Sequence, residues 1–190
     1  MDAITAIHAR RSHPVLAGPA PGADDLRAIL SAAAAAPDHG RHRPWRFVII
    51  TGPGREAFGD VLAEAYRKSC AERGHDPDPA TRERERAKPM RAPAIIAVAC
   101  AAGGDEKAPR QERLAATAAA AQNLLLAATA LGYGAMWRTG AAARDQHVKA
   151  ALGFAGDDDI IGFVYLGTIP ADQKPPPARR ELDGFARTWP

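Results

Sequence analysis

Three short stretches of this 190-residue chain hold the side chains best suited to chemistry. Arg10-Arg11-Ser12 sets two guanidiniums and a hydroxyl in a row, donors able to clasp a phosphate dianion through charge-assisted hydrogen bonds. Arginines at the end of a short helix are also favoured by the helix dipole alone, so a structural reading stays open beside the functional one. Ala36-Pro-Asp-His-Gly-Arg-His-Arg-Pro-Trp45 reads as a rigid turn rich in side chains that hydrogen-bond or stack. His39 and His42 lack a completing cysteine or acidic cluster, so no metal site is expected there. Trp137-Arg138-Thr139-Gly140 places a guanidinium and a hydroxyl just after a buried strand, a plausible ligand position. Trp137 alone is as readily a core residue.

The elements that position these stretches follow from periodicity. Arg110 to about Leu131 reads as one long helix, with Leu114, Ala118, Ala121, Leu125 and Ala128 on one face. A second row, Ala120, Leu124, Ala127 and Leu131, lies beside it, so the helix is expected to be buried on more than one side, in a core, a subunit interface, or both. Gly132 ends it, and Tyr133 to Trp137 reads as a short buried strand. An opening helix from Asp2 to about Arg10 has Asp2 as its cap and Ile4, Ile7 and Ala3 as its buried stripe. Further helices are predicted from Ala23 to Ala35, from Pro53 to about Arg73 and near Asp145 to Leu152. Strands are predicted at Trp45–Thr51, Pro93–Ala99 and Asp159–Gly167. The charged stretch Ala80 to Lys88 reads as a solvated helix or a mobile flap. Helices outweigh strands, so the class is α+β or three-layer α/β/α, with one sheet between helices.

Length and composition limit the possibilities. One domain spanning 1–190 is expected, with an extended proline-rich tail from about 170 to 190. A net charge of +3 is only mildly basic, and the basic residues are interspersed with 22 acidic ones, which argues against a nucleic-acid footprint. Twenty of the 25 basic residues are arginine, suited to bidentate phosphate recognition, although genome bias explains that equally well. Cys70 and Cys100 make no disulfide framework, and the N-terminus lacks a signal-peptide core, pointing to the cytoplasm. Leu114 to Trp137 carries no charge, but its alanines, Gln122-Asn123 and glycines argue against a membrane span. No dinucleotide fingerprint, phosphate-binding P-loop or nucleophile elbow occurs.

Taken together, RRS at Arg10 to Ser12, APDH…PW at Ala36 to Trp45 and GYGAMWRTG at Gly132 to Gly140 resemble the nitroreductase family of flavoproteins, in its short, YdjA-like branch. VYLGT at Val164 to Thr168 looks like the family's last core strand. The resemblance implies a nitroreductase-like fold with a mostly antiparallel central sheet, and a homodimer with FMN in clefts between the subunits. Arg10, Arg11 and Ser12 would contact the flavin, Arg10 and Ser12 at its phosphate and Arg11 nearer the ring or ribityl chain. His39 would reach the flavin of the other subunit, and Trp137, Arg138 and Thr139 would form the second segment on the first subunit's side.

The activity that this resemblance implies is that of an FMN-dependent NAD(P)H oxidoreductase. It would act on nitroaromatic or quinone-like acceptors in two half-reactions, with no catalytic acid or nucleophile from the chain. Dehydrogenation of a metabolite or reductive dehalogenation on the same fold is the alternative within the class. A non-enzymatic phosphate- or nucleic-acid-binding protein is the alternative outside it. The chain departs from larger members at Pro14, where they carry a basic residue, and at His39 and Arg43, where they often carry Asn and Gln. Arg179, Arg180 and Arg187 are the candidates for their C-terminal basic segment. The stretch 80–88, short and poor in aromatics, is expected to cover the cofactor loosely.

Overall fold

A computed structural model describes residues 1–103, 108–172 and 184–189. Its strands are β1 (Trp45–Thr51), β2 (Ala94–Cys100), β3 (Gly134–Arg138) and β4 (Asp159–Gly167). They form one antiparallel sheet in the order β1-β2-β4-β3. The helices are α1 (Ala3–Ala9), α2 (Ala23–Ala34), α3 (Gly54–Glu72), α4 (Pro79–Ala87), α5 (Arg110–Ala130) and α6 (Gln146–Ala151).

Every residue of β2 is buried, because the strand is interior to the sheet and covered on both faces. Ala94, Ile96 and Val98 pack with α2 and α5, while Ile95, Ala97 and Ala99 join Phe58, Leu62 and Ala65 of α3 and Val148 of α6. A continuous apolar run is what a strand needs when neither face meets water. β4 has the same character from Gly162 to Gly167 and shifts register opposite Val98 and Ala99, at a bulge.

The caps follow local chemistry. Asp2, Asp78 and Asp145 each accept a hydrogen bond from a backbone N–H three residues on, at the starts of α1, α4 and α6. Gly132, at φ +87°, turns the chain out of α5, a conformation that costs other residues a Cβ clash. Pro53 proves to be the cap of α3 and not a residue of its first turn.

Two predicted faces differ from the fold. In α1 the buried residue is Ala6, while Ile4 is 65% and Ile7 41% exposed, and Ala3 is exposed too. The contact that α1 makes is with α5, and the small Ala6 is the side chain buried there. In α5, Ala121, Leu125 and Ala128 are buried with Ala120 and Leu124, but Leu114, Ala118 and Ala127 are only half-buried and Leu131 is exposed just past the last turn. Arg113 is buried instead, donating to the carbonyls of Ala102 and Ala108 at 2.7 and 2.5 Å. The charged stretch 80–88 is helix rather than flap. It lies close against α3: a Cβ on Gly59 would meet the Arg86 carbonyl oxygen at 2.3 Å, and Arg86 pairs with Asp60 at 2.8 Å.

Of the predicted tail, residues 173–183 and 190 lie outside the described residues, and with them Arg179 and Arg180. Arg187 is exposed. Among the described residues no helix is long and apolar enough to cross a membrane.

Candidate functional site

The sheet brings two of the three stretches together. β3 is an edge strand, and its free side takes up the segment after α1. Ser12 bridges Ala135 in parallel, and the His13 N–H donates to the Ala135 carbonyl at 3.1 Å. The segment continues to Leu16, whose N–H donates to the Arg91 carbonyl at 2.8 Å. Residues 12–16 therefore run between β3 and the short 310 turn Lys88–Arg91 that precedes β2.

Beside this segment lies a cleft of about 480 Å³. Trp137, Arg138, Thr139 and Gly140 form one part of its wall. Phe58, Leu62, Phe163 and Tyr165 give it apolar surface, and Arg73, Lys88, Arg91 and Arg138 give it positive charge, against Glu85 and Asp145. Phe58 and Phe163 pack with their rings tilted at 45° and their centroids 5.5 Å apart. The Lys88 ammonium is held by the Glu85 carboxylate, and the three arginines of the lining outnumber its other carboxylate, Asp145, which caps α6.

Arg138 is the best-defined side chain of the site. Its Nη2 donates to the Pro14 carbonyl at 2.9 Å, and its guanidinium carbon lies 5.5 Å from the centre of the Tyr165 ring. Such a cation–ring contact contributes about 0.5–2 kcal/mol, more as it is desolvated. Its Nε is buried without a partner among the described residues. Burial, then the nearby Arg91 charge, pulls the guanidinium below its ordinary value, and Tyr165 opposes them. Tyr165 is itself pushed up by burial, with Arg138 and Arg91 countering. Two guanidiniums close enough to repel, with no carboxylate joined to either among the described residues, form a place for an anion.

Trp137 is half-buried, and its indole N–H donates to the Ile161 carbonyl at 3.1 Å. Thr139 is exposed at the rim. Arg10 ends α1 with its N–H on the Ala6 carbonyl at 2.9 Å. Arg11 folds back, with Nη1 donating to the carbonyls of His8 at 2.5 Å and Arg10 at 3.0 Å. It thus caps the helix, as the structural reading requires, and yet its Nε too is buried without a partner among the described residues. Ser12 is exposed.

His39 is elsewhere. It opens a 310 turn, His39–Arg41, and its Nδ1 lies 3.1 Å from Glu112 in the first turn of α5; it does not line the cleft. The turn is more strained than its composition suggests, since Arg41 and Arg43 both hold left-handed backbone at φ 58° and 47°. Asp38 holds it shut, accepting from the Arg43 N–H at 2.6 Å.

Arg91, Lys88 and Tyr165 do not stand out in the sequence as site residues. A signal exists for the first two, since Lys88-Pro-Met-Arg91 sits just before a buried strand as Trp137-Arg138 sits at the end of one. β2 and β3 run in the same direction on either side of β4, with Ala94 and Ala135 both opposite Leu166, and Arg91 and Arg138 line the same cleft although they are distant in the chain. Tyr165 carries no such signal: in VYLGT it is one apolar-run residue among several.

The family model described as the nitroreductase family matches residues 7–168, from within α1 to the end of β4. The chain belongs to the nitroreductase family. Membership places it among oxidoreductases. It is 40% identical over 168 residues, 88% of each chain, to an Escherichia coli (strain K12) protein named "Putative NAD(P)H nitroreductase YdjA". The solved structure of a nitroreductase-like family protein from Bacillus cereus matches its fold with a TM-score of 0.80 at 24% identity, over 99% of this chain and 96% of that one. A Bacteroides fragilis nitroreductase solved with bound FMN matches with a TM-score of 0.75 at 25% identity, over 99% of both chains.

Proposed function

We propose that this nitroreductase-family chain is an FMN-dependent NAD(P)H oxidoreductase of nitroaromatic or quinone-like acceptors. The observation that carries the reading is the state of its guanidiniums. Among the described residues, buried side-chain donors without a partner are the Nε atoms of Arg11, Arg113 and Arg138. Two of those three lie in the segments expected to meet the flavin, and an unsatisfied buried donor is costly, about 1–3 kcal/mol or more beside charge. An anionic, many-acceptor ligand relieves that cost. Arg138 lines the cleft while Arg10, Arg11 and Ser12 do not; its free donor, the mixed apolar and basic lining and the size of the cleft fit FMN.

Arg10 and Ser12 hold the phosphate in this reading, and Arg138, Trp137 and Thr139 hold the ring from the β3 side. Arg91 joins them, its charge directed at the same space as Arg138. When bound, the flavin supplies two-electron chemistry between NAD(P)H and the acceptor in two half-reactions. The chain's share is positioning, exclusion of water by Phe58, Leu62 and Phe163, and positive charge from Arg138 and Arg91 where negative charge develops. No acid or nucleophile from the chain is required.

A homodimer completes the site. Ile4 and Ile7 expose an apolar stripe on α1, and Phe185 and Trp189 stand exposed at 71% and 82%. In this reading His39, away from its own chain's cleft, serves the partner's. The fold is then a three-layer dimeric assembly of single domains, in the cytoplasm. Purified protein should be yellow and release FMN on denaturation. Double-reciprocal plots with NADPH or NADH against a nitroaromatic should be parallel. Colourless protein that takes up no added FMN would defeat the reading.

A further inference from the structure

We infer that Arg73 forms an anion-recognising subsite at the α3 end of the cleft, selecting co-substrates that carry a carboxylate or phosphate on an aromatic body. The inference rests on the flavin reading above for its division of the cleft. Arg138 and Arg91 flank the segment 12–16 and belong with the flavin, and Lys88 is neutralised by Glu85. Arg73 is on another wall, at the C-terminus of α3.

The lining residues of α3 grade along its axis. Phe58, Leu62 and Ala65 are buried against the sheet, while Tyr66, Ser69 and Arg73 follow as half-buried or exposed side chains. At about 1.5 Å per residue, Arg73 stands roughly 10 Å beyond Tyr66 and roughly 22 Å beyond Phe58. The cleft thus runs from an aromatic floor toward a single cation. That cation is held but not neutralised. Its Nε donates to the Ser69 carbonyl at 2.9 Å and its Nη2 to the Cys70 sulfur at 3.8 Å, and it joins no ion pair among the described residues. Asp145, another carboxylate of the lining, accepts from the Val148 N–H at 3.1 Å and forms no ion pair with Arg73. A guanidinium fixed through Nε and Nη2 still offers its outer N–H groups, the arrangement that suits a planar carboxylate.

The anion can come from either co-substrate: a carboxylate on the acceptor, or a phosphate on the pyridine nucleotide. Calorimetric titration of the purified protein with 4-nitrobenzoate, 4-nitrobenzamide and NADP+ separates them, with flavin content read from the spectrum of the same samples. R73Q should weaken 4-nitrobenzoate, or NADP+, by about fivefold, the most that a partly exposed ion contact contributes. It should leave 4-nitrobenzamide within about twofold, and R73K, which keeps the charge but not the planar fork, should recover only part of the loss. R73M, which keeps the apolar stem, gives the same reading should R73Q not fold. A loss for 4-nitrobenzoate assigns the anion to the acceptor, and a loss for NADP+ assigns it to the donor. Unchanged affinity for both anions, or an equal loss for 4-nitrobenzamide, overturns the inference. Absence of flavin from wild-type protein would refute the cofactor reading instead, and binding remains measurable without it.

Discussion

Replacing Gly162 by alanine should disable the site from beneath while changing no residue that lines the cleft. Gly162 lies opposite the β2–β4 bulge at φ +154°, a conformation that L side chains rarely adopt. A Cβ there would fall 2.1 Å from Trp137 Nε1, 2.6 Å from its Cδ1 and 2.7 Å from the Arg138 carbonyl oxygen. The carbonyl cannot retreat, because Arg138 pairs with Phe163 across the strands. The indole must therefore move and give up its bond to the Ile161 carbonyl. Backbone strain costs about 1–3 kcal/mol, overpacking about 1–3 kcal/mol, and the lost hydrogen bond about 1 kcal/mol. A total of about 3 kcal/mol or more lowers the melting temperature by roughly 6–12 °C in a chain of this size. Differential scanning calorimetry with and without added FMN measures it, with Gly156→Ala as control. Gly156 has no contact tighter than 3.6 Å and no left-handed backbone, so its alanine variant should melt like wild type. If Gly162→Ala melts within about 2 °C of wild type, the seat of Trp137 is not what the packing indicates.

Three further outcomes are expected. Arg10→Ala should weaken FMN by about 1.5–3 kcal/mol and leave riboflavin, which lacks the phosphate, nearly unaffected; equal losses by calorimetry would make Arg10 a structural residue. Ile4→Glu places a charge on the exposed stripe of α1 and should shift light-scattering mass from dimer toward monomer at micromolar concentration, and an unchanged mass would move the interface elsewhere. Tyr165 holds its proton more tightly folded than unfolded, since burial raises it, so stability is intact below about pH 10 and declines as pH rises further. Tyr165→Phe should flatten that decline in melting curves without abolishing it, because Tyr66 and Tyr133 are raised as well, the first by Cys70 and the second by Asp25. An identical slope would remove Tyr165 from the account.

Much of this protein is determined locally and is legible in the chain. The apolar runs of β1 and β4, the caps of α1 and α6 and the glycine that ends α5 come from residues within a few positions of one another, so Trp45–Thr51 and Asp159–Gly167 are bounded in the sequence as they stand in the fold. The stretches RRS, APDH and WRTG, which carry the family resemblance, are legible as well, because each is contiguous in the chain. The tertiary structure decided what depends on pairing across distance. It set residues 12–14 against β3, drew Arg91 and Tyr165 to Arg138, and sent Arg11 back to cap its own helix. It also turned the apolar stripe of α1 outward, with Ala6 buried and Ile4 exposed. Periodicity reports that a face is apolar. What covers that face depends on which other elements pack there, and that is a property of the fold and not of the local chain.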